Sequence, residues 1–274
     1  MTLPTTTDSK PDLTMIVPEG QLVDRAWLQL RGFSRYDVDY YLRAGHLVGV
    51  TRGVYRRPGA SLKWQHIVYS LQSMGYVVHV GGRTALTEVG LSHYVELGMR
   101  NIQLFSASSL PSWLTNWHEL YPSDFQFETY RLSWVKDLDP SLFTQQLFGG
   151  WDWKINVAQP ELGILEWISL AKTEATLQAI DAVFDGLSML SPKRIQIALA
   201  LCNSVQSKRL FAWYASRHQH AWLKQIDFSR FEMGSGKRSF IQGGVFNKQW
   251  QITVPRSMEK PNSGDGFESE QSLF

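Results

Sequence analysis

Residues 33–57 constrain the fold more than any other stretch, because in 25 residues they spell a capped helix, a glycine stop and a basic hairpin. Ser34 suits an N-cap. Asp37 stands three residues later, where a short acid completes a capping box and faces the positive end of the helix dipole. Val38, Tyr41 and Leu42 recur at helical spacing, which leaves Arg35, Asp39 and Arg43 to face outward. Gly45 predicts the end of the helix. Residues 47–50 then suit a short strand and Val54-Tyr55 its return, with Gly53 at a turn position that favours positive φ. The turn Thr51-Arg52-Gly53 is followed by Arg56 and Arg57.

Upstream, the apolar spacing over 22–30 predicts a second short helix ending at Arg31-Gly32, so two helices a few residues apart lead into the hairpin. That order is the outline of a winged-helix DNA reader. A helix lying in the major groove would offer Arg35, Tyr36 and Arg43 to bases or phosphates, while Arg52, Arg56 and Arg57 of the wing reach neighbouring phosphates. Residues 20–60 hold seven Arg or Lys against three Asp or Glu, the charge balance such contacts need. An ordinary helix and hairpin on a solvated surface would carry the same residues, and the physical features alone leave both readings open.

A chain of 274 residues with 13% aromatic content buries a sizeable core and has room for more than one unit. Its net charge of +2 conceals a basic carboxyl-terminal region: residues 192–260 hold twelve Lys or Arg and three Asp or Glu, a concentration suited to nucleic acid or to an acidic protein. The single cysteine, Cys202, sits in an apolar run, has no partner for an intramolecular disulfide and reads as buried filler, which suits a reducing cytosol. No run approaches the roughly 20 apolar residues needed to span a bilayer, and the amino terminus lacks a secretory pattern. The expectation is a soluble cytoplasmic protein without a membrane partner.

Along the chain, 1–18 reads as a flexible lead-in, 19–60 as the winged helix, 61–260 as a larger domain with a subdivision near 150–160, and 261–274 as a polar tail. Helices are predicted over 62–74, 82–88, 161–171 (amphipathic, with Pro160 at an early position), 174–184, 192–205 and 208–215. Strands are predicted over 76–80, 101–105 and 125–127, and a hairpin or short sheet over 240–255. Trp113, Trp117 and Trp134 read as core or as an exposed interface cluster. The fold class is α+β, a winged helix-turn-helix followed by a larger mixed α/β domain.

Catalytic and cofactor motifs fail in specific ways. Gly234-Ser-Gly-Lys-Arg238 invites comparison with a phosphate loop, but Phe231 stands where the motif needs its first glycine and Arg238 where it needs a hydroxyl. A basic glycine-rich turn could still hold a backbone phosphate. His218-Gln-His220 lacks a second histidine pair or a cysteine pair at zinc spacing. Glu161 and Glu166, five residues apart, do not share one helical face, and Asp137 and Asp139 are unsupported. No catalytic set, metal site or cofactor is expected, and a metal-dependent nucleic-acid enzyme is the form an enzymatic reading would take.

The order of motifs resembles the AbiEi family, antitoxins of bicistronic bacterial abortive-infection toxin–antitoxin modules. Its carriers are Gly32-Phe-Ser-Arg35, Gly45-His-Leu47, Arg52-Gly-Val-Tyr-Arg56, Gly81-Gly-Arg-Thr-Ala-Leu86 and Gly90-Leu-Ser-His-Tyr94. Lys208-Arg-Leu-Phe211, Trp222-Leu-Lys224, Gly234-Ser-Gly-Lys-Arg238 and Gln251-Ile-Thr-Val-Pro255 follow. The resemblance implies an amino-terminal winged helix that recognises inverted repeats at its own promoter and represses the operon, as a dimer or as cooperatively bound monomers. It also implies a larger domain needed for antitoxicity against a nucleotidyltransferase-like toxin, without a stable complex. DNA contact is carried onto Ser34, Arg35, Tyr36, Arg43, Arg52, Arg56 and Arg57. Lys208, Arg209, Lys224, Lys237 and Arg238 become candidates for phosphate contact or antitoxic function. The leading helix of a full winged helix must be short or begin before Gln21. A DNA-binding regulator without a toxin partner is the competing function.

Overall fold

The structure, a computed structural model, describes residues 12–91, 98–121, 123–149, 152–239 and 241–259, apart from the side chain of His118. The tail from 261 and the Ser92-His-Tyr94 part of one family motif lie outside the described residues.

The amino-terminal part runs α1 (Leu13–Ile16), β1 (Leu22–Asp24), α2 (Arg25–Leu30), α3 (Arg35–Arg43), β2 (Val48–Thr51) and β3 (Val54–Arg56). Within the expected flexible lead-in, residues 12–17 are structured: Asp12 accepts the Thr14 N–H as the α1 cap, and Leu13 and Val17 are buried. The leading helix is short and lies before Gln21. β3 is the middle strand, antiparallel to both β1 and β2.

This small sheet separates two cores. Leu22 and Val54 point into the large core, whereas Val23 and Tyr55 join a smaller one with Trp27, Leu28, Phe33, Val38 and Leu47. The alternation explains why 22–30 is not one helix. Leu22 and Val23 are consecutive and both fully buried on opposite faces, as a strand of period two allows. Asp24 then ends the strand by accepting the Trp27 N–H and starts α2.

α3 follows the sequence expectation closely. Ser34 and Asp37 form the reciprocal capping box. Gly45, at φ +72°, closes the helix, with His46 N–H donating to the Tyr41 carbonyl. Gly53 sits at φ +80° in the tight β2–β3 turn.

α4 (Trp64–Ser73) joins this part to the rest. Its Ser70 Oγ accepts the Leu22 N–H at 2.8 Å, and its Ser73 carbonyl accepts the Trp27 indole at 3.0 Å. β4 (Val78–Val80), α5 (Gly82–Glu88), β5 (Arg100–Ser106), α6 (Ser112–Thr115), α7 (Trp117–Leu120), β6 (Phe125–Arg131), β7 (Phe143–Phe148) and β8 (Trp153–Ala158) follow. They build a mixed five-stranded sheet in the order β6-β5-β4-β8-β7. β7 and β8 pair antiparallel with each other and β8 is parallel to β4, so one sheet runs through the region where a subdivision is expected. Trp117 and Trp134 are buried in the large core and Trp113 packs edge-on against Trp117, which makes this aromatic group core, not an exposed interface.

Helices α8 (Pro160–Leu170), α9 (Glu174–Asp185), α10 (Pro192–Leu201) and α11 (Val205–His218) complete the large core with strands β9 (Arg238–Ser239), β10 (Val245–Asn247) and β11 (Ile252–Val254). β10 and β11 form the expected hairpin, and β9 lies parallel to β11. α8 is not amphipathic. Every residue from Glu161 to Ile168 is buried, because α5, α9, α10, α11 and β8 enclose it. The stretch predicted as a helix over 192–205 stops at Leu201, since Ser204 turns out of the helix and caps α11 by accepting the Ser207 N–H.

Candidate nucleic-acid interface

Four side chains share the outer face of α3. Val38 is fully buried against the small core, which turns Arg35, Tyr36, Tyr40 and Arg43 to solvent; Tyr36 is 84% exposed and Tyr40 56%. Arg35 and Tyr36 have no side-chain hydrogen bond or ion pair among the described residues, and Arg43 spends only its Nε, on the Asp39 carbonyl at 3.2 Å. Asp39 does not neutralise this face, because its carboxylate pairs with Arg25 at 3.3 Å, which also donates to the Tyr55 hydroxyl. Tyr40 was not among the sequence candidates. Its spacing of four from Tyr36 was the available signal, since it puts the two exposed rings one turn apart on the same face.

Other candidates separate once the geometry is known. Arg52 is exposed at the hairpin tip with no side-chain partner among the described residues. The Ser34 hydroxyl is engaged in capping, accepting the Asp37 N–H and donating to its carboxylate at 2.5 Å, so Ser34 sets the start of α3. Arg57 is half-buried and reaches the Val17 carbonyl at 3.4 Å.

Arg56 must be corrected. It is only 9% exposed, and its guanidinium donates to the Ala60 carbonyl at 2.9 Å and to the Tyr121 hydroxyl at 2.8 Å. The cause is the strand period: Arg56 shares a face with Val54 and lies opposite Leu22, which directs it into the body of the protein. Both terminal nitrogens of its guanidinium are spent on partners within the protein.

The carboxyl-terminal candidates also divide. Lys224, Lys237 and Arg238 are exposed, with the Lys237 ammonium 5.0 Å from the Phe246 ring centre. Lys208 and Arg209 are buried in α11, so neither is a surface phosphate contact. Arg209 donates to the carbonyls of Met233, Gly234, Gly236 and Gln251 at 2.6 to 3.2 Å. The glycine-rich turn thus wraps carbonyl oxygens around an arginine, the reverse of a phosphate loop, in which N–H groups converge. Sequence reading saw the turn and the basic pair separately and missed that one is the clamp of the other.

The acidic and histidine candidates are structural. Glu161 accepts from Arg194 at 2.9 Å and from the Ser191 N–H, while Glu166 takes the His79 ring at 2.5 Å and the Gly82 N–H at 3.0 Å. His218 meets Asp181 at 2.8 Å and His220 the Phe184 carbonyl at 2.7 Å. Asp139 caps a single 3-10 turn. Cys202 is buried, and burial pushes its thiol up. Among the described residues no group of three His, Cys, Asp or Glu is placed to hold a metal ion, and no helix is long and apolar enough to cross a membrane.

Comparison with known proteins adds a family and a fold. Two family models match in succession: the N-terminal domain of the AbiEi antitoxin transcriptional regulators over residues 8–97, and the AbiEi antitoxin transcriptional regulator of type IV toxin–antitoxin systems over 99–255. The crystal structure of the RV2827C protein from Mycobacterium tuberculosis is similar in fold, with a TM-score of 0.50 at 15% identity over 85% of this chain and 86% of that one. No curated protein matches the chain.

Proposed function

Because the chain belongs to the AbiEi antitoxin family of type IV toxin–antitoxin transcriptional regulators, we propose that its amino-terminal part is a winged helix that binds inverted repeats in its own operon promoter and represses it. One observation carries this reading. Arg35, Tyr36, Tyr40 and Arg43 form an exposed face on α3, and Arg52 stands at the tip of the hairpin that follows.

The chemistry suits duplex DNA. A helix with its side chains is about 10–12 Å across, which a major groove about 12 Å wide admits. Arg35 enters first, since it opens the helix, and its free guanidinium matches the paired acceptors of a guanine edge. Tyr36 and Tyr40 offer flat apolar surface with a hydroxyl at the rim, suited to a thymine methyl or a phosphate oxygen. Arg52 takes a flanking phosphate. Two copies, as a dimer or as cooperative monomers, match the two halves of an inverted repeat.

We further assign the larger domain to antitoxicity against a nucleotidyltransferase-like toxin without a stable complex. Exposed Lys224, Lys237 and Arg238 remain its candidate residues; Lys208 and Arg209 do not act from the surface. The reading gives the chain no catalytic step and places it in the cytoplasm beside its operon.

The test is binding of the purified full chain to its own upstream DNA against a scrambled duplex of equal length, at two salt concentrations. Selective binding that persists at the higher salt is expected. Equal affinity for both duplexes, or no binding, overturns the operator reading.

A further inference from the structure

Arg25 opens α2, yet its guanidinium is spent on α3 and β3: one terminal nitrogen donates to the Asp39 carboxylate at 3.3 Å and to the Tyr55 hydroxyl at 3.2 Å. Tyr55 is buried in the small core, so its hydroxyl gives the guanidinium a fixed anchor, and the guanidinium in turn fixes where the Asp39 carboxylate lies. The Arg25–Asp39 pair is partly exposed, with side chains 35% and 43% accessible, and an ion pair of that kind contributes little to stability. Its consequence is what it withholds from the rest of α3.

Asp39 is four residues from both Arg35 and Arg43, the spacing at which opposite charges pair along a helix. An acid four residues ahead of its base is the favoured order, which makes Arg43 the preferred partner. Arg43 already lies back along the helix, its Nε donating to the Asp39 carbonyl at 3.2 Å. A carboxylate released from Arg25 therefore has the remaining guanidinium nitrogens of Arg43 within one side-chain rotation. An arginine captured in this way is neutralised and its fork is filled, so it offers neither charge to a phosphate nor paired donors to a guanine edge.

We propose that Arg25 is a positioning residue for DNA recognition: by holding the Asp39 carboxylate beside Tyr55, it keeps the guanidinium of Arg43 open to the duplex. This role rests on α3 being the operator-facing helix and adds to that helix a residue that makes no base contact of its own. It also accounts for an acid at the midpoint of a helix that begins with Arg35 and ends with Arg43, since α2 collects the charge that would otherwise cancel one of them. Two other roles compete, a direct phosphate contact by Arg25 and a purely structural brace, and each gives its own pattern of losses.

The test uses the full chain and compares Arg25→Met, Asp39→Asn and the double variant for affinity to operator and scrambled duplex over a salt series, with a denaturation curve for each. Arg25→Met is expected to lose about tenfold on the operator, the size of one lost base contact, and much less on the scrambled duplex. Adding Asp39→Asn removes the carboxylate that captures Arg43 and should return most of that affinity, although the double variant lacks both halves of the ion pair. An equal loss on both duplexes, with a salt slope lowered by about one and no recovery with Asp39→Asn, would make Arg25 a phosphate contact. A loss that follows the folded fraction in every variant would make it a brace. Either result overturns the proposal, as does undiminished operator affinity in Arg25→Met. If the wild type does not prefer the operator, the operator reading falls, and a measurement without DNA decides on Arg25. The Asp39–Arg43 coupling, taken from denaturation of Asp39→Asn, Arg43→Gln and their combination, should be absent in the wild-type background and about twofold in the folding equilibrium with Arg25→Met. No coupling in the Arg25→Met background means that the carboxylate does not turn to Arg43, and overturns the proposal without reference to any duplex.

Discussion

Arg52 and Arg56 lie four residues apart on one hairpin, yet the turn exposes the first and the strand period buries the second. Their substitutions should therefore have separable effects. With Arg52 on a phosphate as proposed, Arg52→Ala should weaken operator and random duplex alike and lower the slope of log affinity against log salt by about one. Arg35→Ala or Arg43→Ala should instead cost about 1–3 kcal/mol on the operator and little on random DNA, as expected for a base contact. Fluorescence anisotropy over a salt series reads both, and a uniform loss in all three variants would refute this division of roles. Arg56→Met should leave DNA affinity per folded molecule unchanged and lower stability by roughly 1–3 kcal/mol, because the Ala60 carbonyl and Tyr121 hydroxyl lose a buried donor. Chemical denaturation with DNA titration of the same sample checks it: an unaltered midpoint with weakened binding would restore Arg56 to the DNA face.

At the scale of single elements, α3 is held in place by local chemistry. Ser34→Ala removes half of the capping box and should destabilise the protein by ~1 kcal/mol, and operator affinity should fall with it because Arg35 is anchored at the first helical position. A melting temperature unchanged by the substitution would show the cap to be dispensable. On the paired strands β5 and β6, burial first and Glu128 second push the Tyr130 phenol up to about 12. The folded state thus keeps its proton more tightly than the unfolded chain, so the associated stability is present below pH 10 and is lost as pH rises from about 10 to 12. Tyr130→Phe should flatten the alkaline limb of a stability profile, and an identical limb would remove Tyr130 as its cause. These local features were the legible ones: the capping box, Gly45, Gly53, the β10–β11 hairpin and the Pro160 helix start each depend on neighbours in sequence. Illegible features depended on what lies across the fold. Leu22 and Val23 imitate a helical stripe because they serve two cores, and α8 was misjudged as amphipathic because partners pair its two glutamates. Arg56 and Arg209 look like surface cations until the chain folds around them, and Tyr40 gains meaning only beside Tyr36 on an exposed face.

Across the whole molecule, the small β1-β3-β2 sheet is shared by the two cores, and that limits how far the chain can be divided. Leu22 and Val54 are buried by the large core, the Leu22 N–H and the Trp27 indole bond to α4, and Arg56 reaches Tyr121. A fragment of residues 1–60 loses all of these partners, exposing two side chains worth about 1.5–3 kcal/mol each and stranding a buried arginine in a unit already small for an independent core. A cut after residue 97 retains α4 but strands β4 from β5 and β8, leaving Val78 and Val80 without their sheet. The expected outcome is that neither fragment melts cooperatively by circular dichroism and that neither holds the operator with the affinity of the full chain. Cooperative melting of the 1–60 fragment with undiminished operator affinity would show the reader to be autonomous. If it is not, lesions deep in the large core, such as Phe184→Ala, should weaken repression through loss of folded protein without touching a DNA contact. The two duties of the chain would then be coupled by shared stability, with the sheet between the cores as the physical link.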